Sequence, residues 1–291
     1  PNRLARSLIT GRTSTIGVVP SAQHTDLVLS PYLQAALNGI VNTCEALEQD
    51  VLIFTRCDQR EVEKIADSLF DGRVDALIFV AVPHSSGLLD LVRQHRIPYA
   101  TISTAEAPDA VQFACDNEQG VRLALQHLAE LGHRKIAHLS GTPDLRDAQI
   151  RLRAFEPIAK ELGLETRPEW SACANFVWDQ GRDRALEILA LPDRPTAFFC
   201  SNDEMALGVC RAAASLGVRV PEDLSVVGFD DAPLAQIATP TITTVQQPVT
   251  ELARLATHAV LRLIEGEGAV EGKILPNRLI VRSSTSSPKE D

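Results

Sequence analysis

Short apolar runs alternate with segments of three-and-four spacing along the whole 291-residue chain. Runs at Thr15 to Val19, Val51 to Thr55, Ala76 to Val82, Tyr99 to Ile102, Lys135 to Leu139, Ala197 to Cys200 and Leu224 to Val227 predict strands. Between them the helical spacing is carried by Val62, Ile65, Ala66, Leu69 and Phe70, and again by Val121, Ala124, Leu125, Leu128 and Leu131. Two further helices show in Phe155, Ile158, Ala159 and Leu162, and in Ala206, Val209, Ala213 and Leu216. Gly132, Gly163 and Gly217 stand just past the last apolar positions, where a left-handed C-terminal cap is wanted. Such alternation predicts βαβ units and mostly parallel sheets, here in two blocks that break near Cys115-Asp116. Further crossings are expected at Thr243 to Pro248, before a helix over Val249 to Ile264, and ahead of a last strand at Arg278 to Arg282. The polar end, Ser283 to Asp291, is expected to fray.

Length suits two lobes of ordinary size, and 45% apolar with 23% charged residues suits a soluble globular protein. No apolar run reaches bilayer length and the first residues lack the apolar core of a signal peptide, so a cytoplasmic location is expected. Cysteines 44, 57, 115, 173, 200 and 210 are scattered without a Cys-x-x-Cys pair. They read as small buried hydrophobes, not as metal ligands or a disulfide frame. The net charge of −10 argues against tight DNA binding by this chain alone. Only the first dozen residues, with Arg3, Arg6 and Arg12 and no acid, are locally basic.

Catalytic patterns are missing. There is no phosphate loop, no Gly-x-Gly-x-x-Gly and no Gly-x-Ser-x-Gly. His127, His133 and His138 fall on a helix, a turn and a strand, so neither a zinc site nor any cofactor is expected. Binding chemistry is better represented. The run Leu224 to Val227 ends in Gly228 and delivers Asp230 and Asp231 to the carboxyl edge of a sheet, where open α/β proteins hold ligands. A strand followed by a solvated acidic turn fits the same residues. Ser201-Asn-Asp-Glu204 reads as a capping box with Ser201 as cap and Glu204 reaching back, which leaves Asn202 free. Arg151 offers a planar fork suited to vicinal hydroxyls or a carboxylate; an ordinary surface arginine is the alternative, and the one assigned to Arg146 and Arg153.

These stretches resemble one family. Val220-Pro-Glu-Asp-Leu-Ser-Val-Val-Gly-Phe-Asp-Asp231 and Thr239-Pro-Thr-Ile-Thr-Thr-Val-Gln-Gln-Pro248 resemble the C-terminal signature of the LacI/GalR transcription regulators. Ser201-Asn-Asp-Glu-Met-Ala-Leu-Gly208 and Arg151-Leu-Arg-Ala-Phe155 resemble two more of its motifs, with Ala154 in place of the usual glycine. Pro1 to Leu8 resembles the family's hinge helix: Asn2, Ala5 and Leu8 would face DNA, with Leu8 as the wedge in the minor groove.

The resemblance, running from Pro1 to about Thr285, implies an α/β fold of two doubly wound parallel-sheet lobes with a ligand cleft, like periplasmic binding proteins. It implies a hinge remnant at 1–13, an N-terminal lobe of 14–114 plus 247–274, and a C-terminal lobe of 115–246 plus 275–291. The implied effector residues are Arg151, Asp230, Asn202, the ring of Phe176 and Ser103, with Tyr32 and Trp178 as further aromatic candidates. Ser103 stands where the family commonly has an aspartate, five residues past Pro98. A small polar effector would shift a homodimer between DNA-binding states, with operator contact completed by a helix-turn-helix expected upstream of this chain. Apolar positions in the helix from Ser30, at Ile65 to Phe70 and at Leu88 to Val92 are expected to serve the dimer. A periplasmic sugar-binding protein feeding a transporter is the rival, disfavoured by the hinge-like start and the unpaired cysteines. An enzyme ranks third.

Overall fold

Ala76-Leu-Ile-Phe-Val80 shows how the first sheet is built: all five residues are buried, on alternating faces. Ala76, Ile78 and Val80 join one core cluster and Leu77 and Phe79 another, as in a parallel strand covered by helices on both sides. In the computed structural model, residues 11–21, 30–55, 62–104, 110–267 and 270–289 are described. The hinge residues Asn2, Ala5 and Leu8 lie outside them, as does Cys57.

The chain divides into two compact units. The first runs to Cys115 and resumes over Pro248–Leu275; the second takes Asp116–Gln247 and the residues from Pro276 onward. Unit one holds β1 (Thr15–Pro20), α1 (Pro31–Ala46), β2 (Asp50–Ile53), α2 (Val62–Leu69), β3 (Ala76–Val80), α3 (Leu88–His95), β4 (Tyr99–Ile102) and β5 (Val111–Cys115). Unit two continues with α4 (Asn117–Glu130), β6 (Ile136–Ser140), α5 (Arg146–Glu161), β7 (Ser171–Cys173), α6 (Trp178–Leu189), β8 (Ala197–Cys200), α7 (Asp203–Ser215), β9 (Ser225–Asp230), α8 (Pro233–Ile237) and β10 (Thr243–Gln246). The chain then adds α9 (Val249–Ile264) and β11 (Lys273–Leu275) to unit one and β12 (Arg278–Ile280) to unit two.

Both sheets have six strands, ordered β2-β1-β3-β4-β5-β11 and β7-β6-β8-β9-β10-β12. Every pairing is parallel except β10 with β12. Each sheet is therefore doubly wound, and the strand order reverses between β1 and β3 and between β6 and β8. At such switch points the carboxyl ends of the strands open a place for a ligand. Gly132, Gly163 and Gly217 have φ of 100°, 67° and 71°, the left-handed conformation expected of them.

Two expectations need correction. Ile65, Leu69, Leu88, Leu89 and Val92 are buried in the second core cluster of unit one, so they have no spare apolar surface to give a partner. Among the described residues, Val41, Leu47 and Ile53 are the large apolar side chains of this unit that remain well exposed, apart from Ile274 on the short β11. The C-terminal residues are also not frayed as far as Lys289. Ser284 is fully buried: its carbonyl accepts from Val226 N at 2.8 Å, its hydroxyl donates to Val226 O at 2.5 Å, and Thr243 N donates to that hydroxyl at 2.8 Å. The Ser286 carbonyl accepts from Ser225 Oγ at 3.0 Å and from His133 Nε2 at 2.9 Å, and Lys289 pairs with Asp223. Serines serve here because a buried polar strap is stable only when each group finds a partner. Deleting residues 286–291 removes the carbonyl that His133 and Ser225 share, together with the Lys289–Asp223 pair, and leaves the side chains of His133 and Ser225 bonded only to each other and to Thr196. Urea denaturation should show the unit-two transition weakened by about 2–4 kcal/mol; an unchanged midpoint would mean the strap adds nothing.

Candidate functional site

The carboxyl edge of unit two is organised around a buried charge. Arg151 sits on α5, with only 2% of its surface exposed. Its Nε donates to Asn117 Oδ1 at 2.7 Å and its Nη1 to the Ser201 carbonyl at 2.6 Å. The guanidinium lies 3.8 Å above the Phe229 ring. Asp147, one turn earlier, reaches Nη2 at 4.0 Å, and Asp230 Oδ1 reaches Nη1 at 3.9 Å. These are loose ion pairs. The guanidinium is thus held by hydrogen bonds and a ring face, while two carboxylates stand one step back.

The Gly-Phe-Asp-Asp stretch divides the work residue by residue. A Cβ on Gly228 would lie 2.2 Å from Asp203 Oδ1, so only glycine lets that carboxyl lie against β9. Asp203 is fully buried; Thr244 Oγ1 donates to its Oδ1 at 2.5 Å and Ala232 N to its Oδ2 at 2.7 Å. Burial, reinforced by Asp230, pushes its carboxyl well above the usual range. Phe229 carries the arginine. Asp230 Oδ1 accepts from Gln247 Nε2 at 2.6 Å and faces Arg151. Asp231 is tied down elsewhere, by Arg282 Nη2 at 2.5 Å and Gln246 Nε2 at 2.8 Å. The solvated acidic turn does not form: both aspartates are largely buried.

Asn202 is not free. Its backbone is extended (φ −154°, ψ 172°) and its Oδ1 accepts from Met205 N at 2.9 Å, making it the cap of α7, worth about 1 kcal/mol. The Ser201 hydroxyl instead pairs with His138 Nε2 at 3.0 Å, so capping passes one residue on and the box of Ser201 with Glu204 is lost. His138, between Phe155 and Phe199, is a core histidine whose pKa burial pushes down to about 3. Asn202 Nδ2 donates to the Phe176 carbonyl at 3.0 Å. The Phe176 ring rests on Gly141, where a Cβ would come within 2.0 Å of its Cζ. Trp178 is exposed, with Arg182 over its ring at 5.5 Å.

In unit one, Tyr32 and Ser103 meet: the phenol donates to the Ser103 hydroxyl at 2.7 Å. Ser103, Phe176 and Asp230 share one unusual trait, a positive φ of 49°, 64° and 120°. Such backbone costs each residue about 1–3 kcal/mol and clusters at ligand sites. Sequence reasoning missed Asn117, Gln247 and Asp147. Only Asp147 had a visible signal, its i,i+4 spacing to Arg151. Its Oδ1 is buried without a hydrogen-bond partner, and Arg146, which sequence placed on the surface, is mostly buried 3.9 Å from it. Two surface hollows lie elsewhere, one by Arg12, Glu45 and Asp50, the other by Lys135, Asp193 and Asp223. Both are broad, and Lys135 of the second is already paired with Asp193. Among the described residues no cluster of metal-ligating side chains occurs, and no helix is long and apolar enough to cross a membrane.

Burial raises the Asp230 carboxyl to about 6, against the opposing pull of Arg151 and Gln247. Because the folded value exceeds the unfolded one of about 3.9, stability present below pH ~4 is lost as pH rises through ~6. Asp230→Asn, which does not ionise, should therefore be roughly 2 kcal/mol more stable than the parent at pH 7, with the difference vanishing by pH 4. Urea denaturation across that range checks it, and parallel profiles would refute the shift.

Residues 125–285 match the family described as periplasmic binding protein-like domain. The ribose operon repressor of Escherichia coli K12 is 31% identical over 267 residues, covering 91% of this chain and 79% of that protein. The transcriptional regulator CelR in complex with cellobiose superposes with a TM-score of 0.87 at 28% identity, over 94% of this chain and 85% of that one. The lac repressor dimer bound to operator and the anti-inducer ONPF gives 0.85 at 25% identity, over 98% and 99% of the two chains. With the two doubly wound sheets and the ordered motifs above, these likenesses make this chain a member of the LacI family of transcription regulators.

Proposed function

We propose that this chain is the effector-binding and dimerising region of a repressor, and that the carboxyl edge of unit two holds a small hydroxylated ligand. One observation carries the reading. Arg151 is fixed through Nε and Nη1, yet its Nη2 makes only a 4.0 Å approach to Asp147, whose Oδ1 is buried with no hydrogen-bond partner. A donor and an acceptor left open in a desolvated site call for a ligand that both accepts and donates, as a polyol or sugar does. Arg151 and Asp230 grip it. Phe176 supplies an apolar face and Asn202 shapes the edge; in unit one, Tyr32 and Ser103 form a hydroxyl pair of their own.

The relatives are repressors, one solved with a sugar and one with operator DNA, so the transporter-feeding alternative is not favoured. A homodimer in the cytoplasm, where operator DNA is, follows from this reading. No catalytic role is assigned. Asn2, Ala5 and Leu8 are proposed to contact DNA in cooperation with a helix-turn-helix reader.

A thermal-shift screen of sugars, sugar acids, polyols and nucleobases should find a ligand that stabilises by roughly 2.7 kcal/mol at about 100 times its dissociation constant. With that compound, Arg151→Ala and Asp230→Ala should each weaken binding by about 2 kcal/mol or more in calorimetry. Unchanged affinity in both variants would move the site elsewhere.

A further inference from the structure

A clamp holds the chain just ahead of β1. Gly11 and Ser14 both have left-handed backbone, with φ of 67° and 54°. Between them, Thr13 gives its N–H to Asp75 Oδ1 at 2.7 Å and its hydroxyl to the same oxygen at 2.9 Å. The Ser14 N–H goes to Asp75 Oδ2 at 2.8 Å. The sheet fixes the other side of the turn: Asp50 N donates to the Ser14 carbonyl at 2.8 Å, and Asp75 N to the Thr15 carbonyl at 2.9 Å. One residue earlier, Arg12 Nη2 donates to the Ile264 carbonyl, at the last residue of α9, at 2.9 Å.

A serine adopts positive φ only where its surroundings over-determine it. Here a single carboxylate accepts three hydrogen bonds from two consecutive residues and holds the backbone in a turn it would otherwise leave. Without Asp75, Ser14 relaxes to extended backbone and the direction of the chain over Gly11 to Thr13 changes. That direction matters if the upstream residues contact DNA, so the inference rests on the regulator reading above. We propose that Asp75 is a positioning residue for operator binding: its grip on Thr13 and Ser14 sets the path by which the DNA-binding segment leaves unit one.

The test uses the natural full-length protein and a duplex that the wild type selects from a random-sequence pool. Amide exchange at Thr13 and Ser14, followed by NMR, reports the clamp itself; fluorescence anisotropy reports affinity for the duplex. In Asp75→Ala both amides should exchange at least tenfold faster and duplex affinity should fall at least tenfold. Asp75→Asn, whose Oδ1 still accepts from Thr13 but whose amide nitrogen does not accept from Ser14, should fall between. Ser14→Gly, free to take positive φ, should stay within twofold of wild type and should recover part of the loss when added to Asp75→Ala. Leu69→Ala, a cavity in the core of the same unit, should leave duplex affinity within threefold while lowering the melting temperature.

Unchanged amide exchange in Asp75→Ala overturns the clamp, and unchanged duplex affinity overturns its role. Equal losses in Leu69→Ala and Asp75→Ala, without rescue by glycine, reduce Asp75 to a stabiliser of unit one and overturn the proposal. A wild type that selects no duplex although both amides are protected overturns the regulator reading instead, and the positioning role falls with it while the clamp stands.

Discussion

Keeping a guanidinium almost out of water is the constraint from which the architecture of unit two follows. An isolated buried charge costs several kcal/mol unless its protons are satisfied and a counter-charge is close. Arg151 meets this with contributions from four elements: Asn117 from the start of α4, the Ser201 carbonyl after β8, the Phe229 ring from β9 and Asp147 from its own helix. Those elements converge only because the parallel strands all end at one edge. The fold positions the arginine, and the arginine in turn ties the edge together.

The second layer is the buried carboxyl of Asp203. It bridges the start of α7 to the backbone after β9 and to Thr244 of β10, and it occupies the space that Gly228 leaves open. With Asp231 bound to Arg282 and Gln246, the turn after β9 has little freedom. Asp230 is held at φ 120° as a result, facing Arg151 with its charge partly suppressed by burial. A carboxylate raised above its ordinary pKa by burial, beside a buried arginine, is an arrangement kept at some cost to stability.

Most of this framework was legible in the chain because period and punctuation agreed. The buried runs of β3 and β8, and the glycines after α4, α5 and α7, announced themselves by residue type alone. Strands β7 and β11 did not: Ser171-Ala-Cys173 and Lys273-Ile-Leu275 are three-residue edge strands with largely exposed side chains and no apolar pattern. The C-terminal strap escaped for the opposite reason: Ser284 is polar yet fully buried, and Ser286 is tied down through its backbone and side-chain hydrogen bonds. At the candidate site, the motifs point to Arg151 and Asp230, and the structure brings these two residues within 3.9 Å of each other. The capping assignment slipped by one residue because sequence does not show that His138 claims the Ser201 hydroxyl. Asn117 and Gln247 act through contacts 34 and 17 residues away in the chain, which no local pattern encodes.

The central claim is that the edge around Arg151 is where ligand acts. The Arg151 Nε–H, buried and hydrogen-bonded to Asn117, should give a resolved NMR signal in 15N-labelled protein. Titration with a compound that stabilises the protein should shift that signal together with the backbone amides of Asp147 and Asp230. Shifts confined to the hollow beside Lys135 and Asp223, with the Arg151 signal unmoved, would contradict the account.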